Sequence, residues 1–478
     1  MPVSLRGDQP FENTPSLEAK ALRINLNENI YGTFAEIGAG QEVVRHFFRC
    51  GGASGTIAKT MSAYDKNFSD AIYGKGKSYV SEERLNKMLD LETKHLEKRI
   101  SKEDRSKKIF FTYANTVTTI DFAKKFKGHG WMGIKFQTEP NGPYSMISTH
   151  LRFHEIDARS QQESVGVVGV NLIYGAFYQH DRPRKMLRYL FDHLDKTAIE
   201  IDTINFTGPL FMDIDNRILS LELVKNGMTE AVMFGPDGNN LLPARVLYKK
   251  NILAIRGSFR PVTNVNMDMF TSSSEMFYKD KDVNEENTMN IFEITLSNLM
   301  ANSSTGFIDE QDFMDRAKLL CAMGQTVMIS NFKEYYRLVE YFSNYTTKKI
   351  RLSMGVSNLI EIFDEKYYRN LSGGILEAFG KLFFKNMLVY LYPMIDEKTG
   401  EIVNSTNLRV SAQVKELYKF FAYNKKVIDI TDYNKDYLNI YSREVLSLIN
   451  EGKQGWETML PKKARELIKE KQLFGYQE

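Results

Sequence analysis

The regular alternation of helix-like and strand-like segments in the last third of the chain most restricts what it can fold into. Helical periodicity over 308–323 and 332–345 alternates with short apolar runs over 325–330, 348–355 and 387–395. Helices that alternate with buried strands are typical of α/β layers. The sequence therefore predicts an α/β fold with largely parallel sheet layers, helices on both faces and at least two domains.

The length of the chain, 478 residues, is more than one compact domain usually holds. The polar, proline-bearing start predicts a flexible leader over 1–20. We expect an N-terminal α/β domain with a glycine turn over 21–195, and a C-terminal α/β domain with a helical tail over 196–478. The polar segment 279–287 is a second candidate seam.

Composition and charge argue against several classes of partner. Lys and Arg number 63 against 60 Asp and Glu, and a net charge of +3 is too small to indicate a nucleic-acid partner. The longest uncharged stretch, 164–180, is short for a membrane span and predicts a buried segment. Cys50 and Cys321 stand outside any metal or redox motif, which suits a reducing cytoplasm. We expect a cytoplasmic protein with no membrane partner.

Local patterns predict several elements of the first half of the chain. We expect a strand over 21–26, a helix over 42–49 and a buried strand over 109–117. Ser81 is the predicted N-cap of a long charged helix. A hairpin is expected to turn at Asn141-Gly142-Pro143. On its second strand, His150 and His154 would lie about 13 Å apart, which predicts no shared metal.

A glycine-rich segment between a predicted strand and a predicted helix is the first candidate site. It runs from Tyr31 to Gln41 and reads YGTFAEIGAGQ. Glycines let the backbone approach a ligand closely, and free N–H groups at a helix start attract phosphate. We predict a phosphate-binding turn here, with a ligand-free turn as the alternative. Its candidate residues are Gly32, Thr33, Gly38, Gly40 and Gln41.

This segment resembles the opening of nucleotidylyltransferases, in which G-T-F-D-P is followed by H-x-G-H. Gly38 and Gln41 stand where that family has its two histidines, which stabilise the phosphates of ATP. The family's S-T-x-x-R motif has a counterpart in Ser148-Thr149-His150-Leu151-Arg152. The resemblance implies that Arg152 supplies a positive charge to the phosphates.

Nearly the whole chain resembles a bacterial family often labelled nicotinate- or nicotinamide-mononucleotide adenylyltransferase. The resemblance rests on segments such as YGTFAEIGAGQEVVRHFFR, GVNLIYGAFY, EAVMFGPDGN, RGSFRPVTNVN and TVMISNFKEYYRL. It implies a transferase of NAD biosynthesis that binds a nucleotide or another phosphorylated small molecule, with ATP and Mg²⁺ as cofactors. Because the histidine pair is replaced, a non-catalytic assembly protein, for example a homo-oligomer, stays open as an alternative.

An acidic pair after an apolar stretch is the second candidate site. Asp213 and Asp215, in PLFMDIDNRIL, resemble the D-x-D signature of haloacid-dehalogenase-like phosphohydrolases. That resemblance implies a nucleophilic Asp213, an acid/base Asp215 and shared Mg²⁺. It also implies a phosphate-binding Ser330, a lysine at Lys366 or Lys381, and a late acid at Asp396-Glu397. Capping of the following helix by the aspartates is the structural alternative.

Two further loops carry ligand-compatible residues. FGPDGN (234–239) follows a predicted strand and is either a ligand loop or an ordinary turn. Arg256 and Arg260 flank a small-residue turn. Their guanidinium groups suit a phosphate or carboxylate ligand, and surface ion pairs are the alternative.

Overall fold

The computed structural model describes residues 14–123, 127–301, 307–384 and 386–477. The described chain forms two compact units that meet in sequence at Thr229/Glu230. Both are α/β units, and across the two large sheets most neighbouring strands run parallel, so the predicted fold class is confirmed. No helix in the described ranges is long and apolar enough to cross a membrane.

The described part of the first unit contains six strands and eight α-helices. In chain order they are α1 (Leu17–Asn25), β1 (Ile30–Gly38), α2 (Glu42–Arg49), β2 (Ile57–Met61), α3 (Lys66–Tyr73), α4 (Glu82–Arg99), α5 (Lys102–Arg105), β3 (Ile109–Thr118), β4 (His129–Phe136), β5 (Ser145–Phe153), α6 (Ala158–Tyr178), α7 (Pro183–Tyr189), β6 (Ile199–Thr207) and α8 (Asn216–Lys225).

The first sheet has the order β2-β1-β3-β4-β5-β6 and mixes both strand directions. β1 pairs in parallel with β2 and β3, whereas β3 to β6 form an antiparallel meander. The expected hairpin is the β4–β5 pair, and Asn141 in its turn has a φ of 58°. Ser81 caps α4, accepting a hydrogen bond of 3.2 Å from the Arg84 amide.

Three predictions for the first unit need correction. Residues 21–26 belong to helix α1 and its C-cap, not to a strand, because Lys20, Ala21 and Ile24 are buried on one helical face. Residues 17–20 of the predicted leader 1–20 also belong to α1, and its residues 1–13 lie outside the described residues. The units divide after the predicted 195/196 boundary, because β6 pairs with β5 at every residue except Asp202.

The second unit begins with strand β7 and ends with helix α18. Its elements are β7 (Ala231–Phe234), β8 (Asn240–Leu241), α9 (Pro243–Val246), β9 (Asn251–Arg256), α10 (Asn264–Tyr278), β10 (Thr288–Thr295), α11 (Leu296–Met300), α12 (Glu310–Ala322), β11 (Thr326–Ser330), α13 (Tyr335–Ser343), β12 (Ile350–Gly355), α14 (Val356–Ile362), α15 (Gly374–Leu382), β13 (Met387–Tyr392), β14 (Met394–Ile395), β15 (Ile402–Val403), α16 (Lys415–Tyr423), β16 (Val427–Asp429), α17 (Ser442–Asn450) and α18 (Lys462–Lys471).

The second sheet has the order β16-β13-β12-β9-β10-β11-β7-β8. Strands β9 to β13 and β16 run parallel, and the expected alternation of helices and strands is confirmed. The chain builds outward from β9 through β10 to β11, and then returns to β12 on the other side of β9. The strand order thus reverses between β9 and β12, the position at which open α/β sheets commonly bind ligands.

Helix α6 contains most of the predicted buried stretch 164–180 and packs closely on α2. Its 21 residues include Val165, Val168 and Leu172, which are fully buried in the first core. At Gly169 an added methyl group would lie 2.4 Å from a γ-carbon of Val43 in α2. The absence of a side chain at Gly169 therefore sets how closely the two helices approach.

We expect Gly169→Ala to destabilise the first unit by about 1–2 kcal/mol, because the methyl group overpacks the α2–α6 contact. Gly380→Ala in α15 is the matched control. It meets no atom within 4 Å, so the better helix propensity of alanine should stabilise the second unit by about 0.5–1 kcal/mol. Urea unfolding measures both changes, and equal effects of the two substitutions would contradict the close packing.

Candidate functional site

The glycine-rich segment is part strand and part turn. Gly32 and Thr33 lie inside β1, not in a turn as expected, because both pair in register with β3. A methyl group on Gly32 would lie 2.3 Å from the ring of Phe111, and the Thr33 hydroxyl donates to the Lys59 carbonyl at 3.0 Å. These two residues therefore have packing roles within the sheet.

Gly38 is the last residue of β1, and Gly40 and Gln41 lie in the connection to α2. Gly38 has a φ of +75°, which glycine adopts without strain. Gly40 lies against Asn115 of β3, whose amide nitrogen donates to the Gly40 carbonyl at 3.0 Å. The amide nitrogen of Gln41 donates to the Ser62 hydroxyl at 3.0 Å and also to the Gly38 carbonyl. A phosphate-binding role for this turn stays a prediction.

The start of α2 is occupied by a carboxylate of the chain itself. Oε1 of Glu36, a buried residue of β1, accepts a hydrogen bond of 3.2 Å from the Val44 amide. Burial raises the pKa of Glu36 to about 8, although the amides of Val44 and Val43 work in the opposite direction. Amides that would face a phosphate at this helix start are thus directed at Glu36.

Arg152 is not brought to the glycine turn. It lies on β5, the third strand along from β1, so strand spacing alone separates the two strands by about 14 Å. The guanidinium of Arg152 lies 3.3 Å from Glu200 on β6, which also accepts a hydrogen bond of 2.6 Å from the Thr229 hydroxyl. The sheet thus gives Arg152 an ion-pair role.

The aspartate pair lies beside helix α8 of the first unit. Asp215 is the N-cap of this helix: it accepts a hydrogen bond of 2.9 Å from the Arg217 amide and forms an ion pair of 2.7 Å with the Arg217 guanidinium. Asp213 is exposed in the preceding turn. The capping alternative therefore accounts for Asp215.

The remaining phosphohydrolase candidates belong to the second unit and have local partners. Lys366 pairs with Asp364 at 2.6 Å, and Lys381 with Glu377 at 3.2 Å. Asp396 accepts the Lys398 amide in the β14–β15 turn. Among the described residues, no group of three or more His, Cys, Asp and Glu side chains is placed to hold a metal ion.

A cleft of about 490 Å³ opens at the carboxyl edge of the second sheet. Its walls come from the ends of four adjacent parallel strands and the loops or helices that follow them. The end of β9 and the residues after it contribute Arg256, Gly257 and Ser258, and the end of β10 and the helix after it contribute Thr295, Ser297 and Asn298. The segment after β11 contributes Lys333, Glu334 and Tyr335, and the segment after β12 contributes Asn358, Glu361, Ile362, Tyr367 and Tyr368.

A buried ion pair forms the base of this cleft. The Arg256 guanidinium contacts Glu293 of β10 through Nε at 2.8 Å and through Nη2 at 2.9 Å. The hydroxyl of Ser330 on β11 donates to the same carboxylate at 2.5 Å. Ser330, the expected phosphate-binding residue, therefore has the Glu293 side chain as its hydrogen-bond partner. Burial lowers the pKa of Arg256, but Glu293 outweighs this and raises it above its ordinary value. Arg256 therefore stays charged.

Aromatic and amide groups line one wall of the cleft. The Arg256 guanidinium lies 4.3 Å from the centre of the Tyr335 ring. The amide nitrogen of Asn358 donates to the Tyr335 hydroxyl at 3.0 Å, and burial raises the pKa of that hydroxyl to about 12. The Tyr367 ring is partly exposed. Lys333, which is exposed, has no ion-pair partner among the described residues.

Sequence patterns indicate only parts of this cleft. They single out Arg256 and Arg260, and they leave two roles open for these arginines, a phosphate or carboxylate site and a surface ion pair. In the structure Arg256 forms an ion pair with Glu293, and Arg260 forms one with Asp312. Segment 234–239 is an ordinary turn between β7 and β8, closed by Asp237 accepting the Asn239 amide. Sequence motifs do not identify Tyr335 and Asn358 as site residues. The only sequence signal for them is that each follows a parallel strand, and many residues share that position.

No family model matches the chain, and no curated protein sequence matches it. Solved structures to which it is similar include members of the competence-damage (CinA) superfamily. One from Enterobacter cloacae is 10% identical, covers 36% of this chain and 97% of its own, and has a TM-score of 0.27. The competence/damage inducible protein CihA from Agrobacterium tumefaciens is 15% identical, covers 37% of this chain and 98% of its own, and has a TM-score of 0.24. Such distant similarities support no conclusion on activity.

Glu36 generates a prediction for stability against pH. Its pKa is raised in the folded unit, so its contribution to stability is complete below about pH 4.5 and is lost as the pH rises through about 8. We expect the free energy of unfolding of the first unit to fall by up to about 4 kcal/mol between pH 5 and 8.5. Glu36→Gln should flatten this slope, as urea unfolding at several pH values would show. A slope unchanged in Glu36→Gln would contradict the assignment.

Proposed function

We propose that the second unit binds a nucleotide or a similar phosphorylated metabolite in the cleft at the carboxyl edge of its sheet. The observation that carries this proposal is the position of the cleft where the strand order reverses between β9 and β12. A volume of about 490 Å³ lies within the range of small-molecule sites in proteins.

The aromatic wall suits a ligand with a flat ring. Tyr335 and Tyr367 offer ring faces on which a base or a pyridine ring can stack. The amide oxygen of Asn358 and the carboxylate of Glu361 are hydrogen-bond acceptors at the same wall. These groups favour a ligand that carries ring or sugar N–H and O–H donors.

The cations of the cleft suit the phosphate end of such a ligand. The Nε and Nη2 atoms of Arg256 are bound to Glu293, so much of its charge is balanced inside the protein. Lys333, at the exposed rim, is the cation with no ion-pair partner among the described residues. We assign the phosphate contact to Lys333 for this reason, and a positioning role to Arg256.

The finer hypothesis is adenylyl transfer to a pyridine mononucleotide, which the sequence resemblance implies. The residues that line the cleft belong to the second unit, and the glycine segment with Gly38, Gly40 and Gln41 belongs to the first. If ATP and a mononucleotide both bind, formation of a dinucleotide with release of pyrophosphate is the reaction to assay, with and without Mg²⁺.

We expect at least one of ATP, AMP, NMN, nicotinate mononucleotide and NAD to raise the melting temperature of the protein at millimolar concentration, because a ligand that binds only the folded state stabilises it. Differential scanning fluorimetry measures the shift. Lys333→Ala should weaken binding about tenfold or more by removing the phosphate contact, a change that titration calorimetry would resolve.

The matched control is Lys419→Ala, which removes an exposed lysine of α16 that pairs with Glu416. Its affinity for the ligand should equal that of the unmodified protein. Failure of all five ligands to shift the melting temperature would count against the proposal. An equal loss of affinity in both lysine variants would show that net charge, not the cleft, governs binding.

A further inference from the structure

Three polar side chains form a continuous hydrogen-bonded chain across the first sheet. Nδ1 of His129 on β4 lies 3.0 Å from Nε2 of His150 on β5, and Nδ1 of His150 lies 2.7 Å from Oδ1 of Asp202 on β6. These three hydrogen-bonded side chains lie in the first unit, whereas the proposed nucleotide cleft lies in the second. No sequence motif assigns any of the three residues a role of its own.

The inner two members are shielded from solvent. His150 is 0% exposed and Asp202 is 3% exposed, while His129 is partly exposed at the start of its strand. The indole of Trp131 packs beside the His150 ring, with ring centres 5.1 Å apart. Oδ2 of Asp202 is buried without a hydrogen-bond partner among the described residues. The carboxylate is therefore directed to His150.

The contacts define where the protons lie when both imidazoles are neutral. A carboxylate only accepts hydrogen bonds, so Nδ1 of His150 must carry a proton and Nε2 must be an acceptor. Nδ1 of His129 must then carry the proton that faces His150. The remaining nitrogen, Nε2 of His129, is left with a lone pair at the outer end of the chain.

We propose that Asp202, His150 and His129 form a proton relay that presents Nε2 of His129 as a general base to a bound water or alcohol. The proton leaves the O–H group for Nε2 of His129, and the Nδ1 proton of His129 passes to Nε2 of His150. The positive charge then resides on His150, where Asp202 stabilises it. The oxygen is left as the nucleophile.

The surrounding charges are compatible with a neutral His129. Arg152, directly opposite His129 in the β4–β5 register, pairs with Glu200, and His154 lies 3.5 Å from the same carboxylate. Burial, with smaller effects of His150 and Arg152, lowers the pKa of His129 to about 4. The His129 ring is thus neutral at neutral pH.

The protonation pattern can be read by NMR of the full-length ¹⁵N-labelled protein. Long-range ¹H–¹⁵N correlation spectra at pH 7, assigned with His129→Gln, should show His129 with Nδ1 protonated and Nε2 bare. Finding the proton on Nε2 of His129 in the unmodified protein would overturn the proposal.

Reactivity towards diethyl pyrocarbonate, which acylates a bare imidazole nitrogen, gives the second readout. In Asp202→Asn the amide can donate to Nδ1 of His150, which reverses the relay and places a proton on Nε2 of His129. We expect His129 to be acylated about tenfold more slowly in this variant, as mass spectrometry of its peptide would show. His95→Gln on α4 is the control and should leave the rate unchanged. Equal rates in the unmodified protein and in folded Asp202→Asn would refute the relay.

Discussion

The second sheet is built around one buried carboxylate, that of Glu293. It is 0% exposed and joins three adjacent strands, because it lies on β10 and binds Arg256 of β9 and Ser330 of β11. A buried ion pair adds little stability over an apolar pair of equal size, but losing one partner costs about 3–5 kcal/mol. Glu293 therefore fixes the Arg256 guanidinium at the strand ends, and this explains why an apolar strand carries an acid there.

The two units differ in where they place polar groups. In the second, the parallel strands are covered by helices, and the polar groups of the cleft lie at their carboxyl ends. In the first, the antiparallel strands β4, β5 and β6 carry polar residues along one face, including His129, His150 and Asp202. An edge cleft suits a ligand of some size, whereas a relay within a sheet face suits the transfer of a proton.

Much of the fold was predictable from periodicity, and the reasons for the failures are physical. The helix over 42–49, the strand over 109–117 and the regular alternation in the second unit were found because their apolar residues repeat at the expected spacing. Residues 21–26 were misassigned because their apolar side chains alternate as in a strand, although capping by Ser16 and burial of one face make a helix. The boundary was placed too early because only pairing with β5 shows where β6 belongs.

The candidate sites show what sequence alone cannot resolve. A short motif gives the residue types but not their partners, and partners decide the chemistry. The sequence motif indicates a catalytic acid at Asp215, but in the structure this carboxylate pairs with Arg217. The glycine-rich segment indicates a phosphate site at the start of α2, but in the structure the Glu36 carboxylate accepts the hydrogen bond there. Residues far apart in sequence form the cleft and the relay, and only strand order brings them together. The Glu36 side chain already accepts a hydrogen bond at the start of α2, so a phosphate group that bound there would have to displace this buried carboxyl group. The strand ends of the second sheet impose no such cost, and for that reason our proposal places the phosphorylated ligand in the cleft and not at the glycine turn.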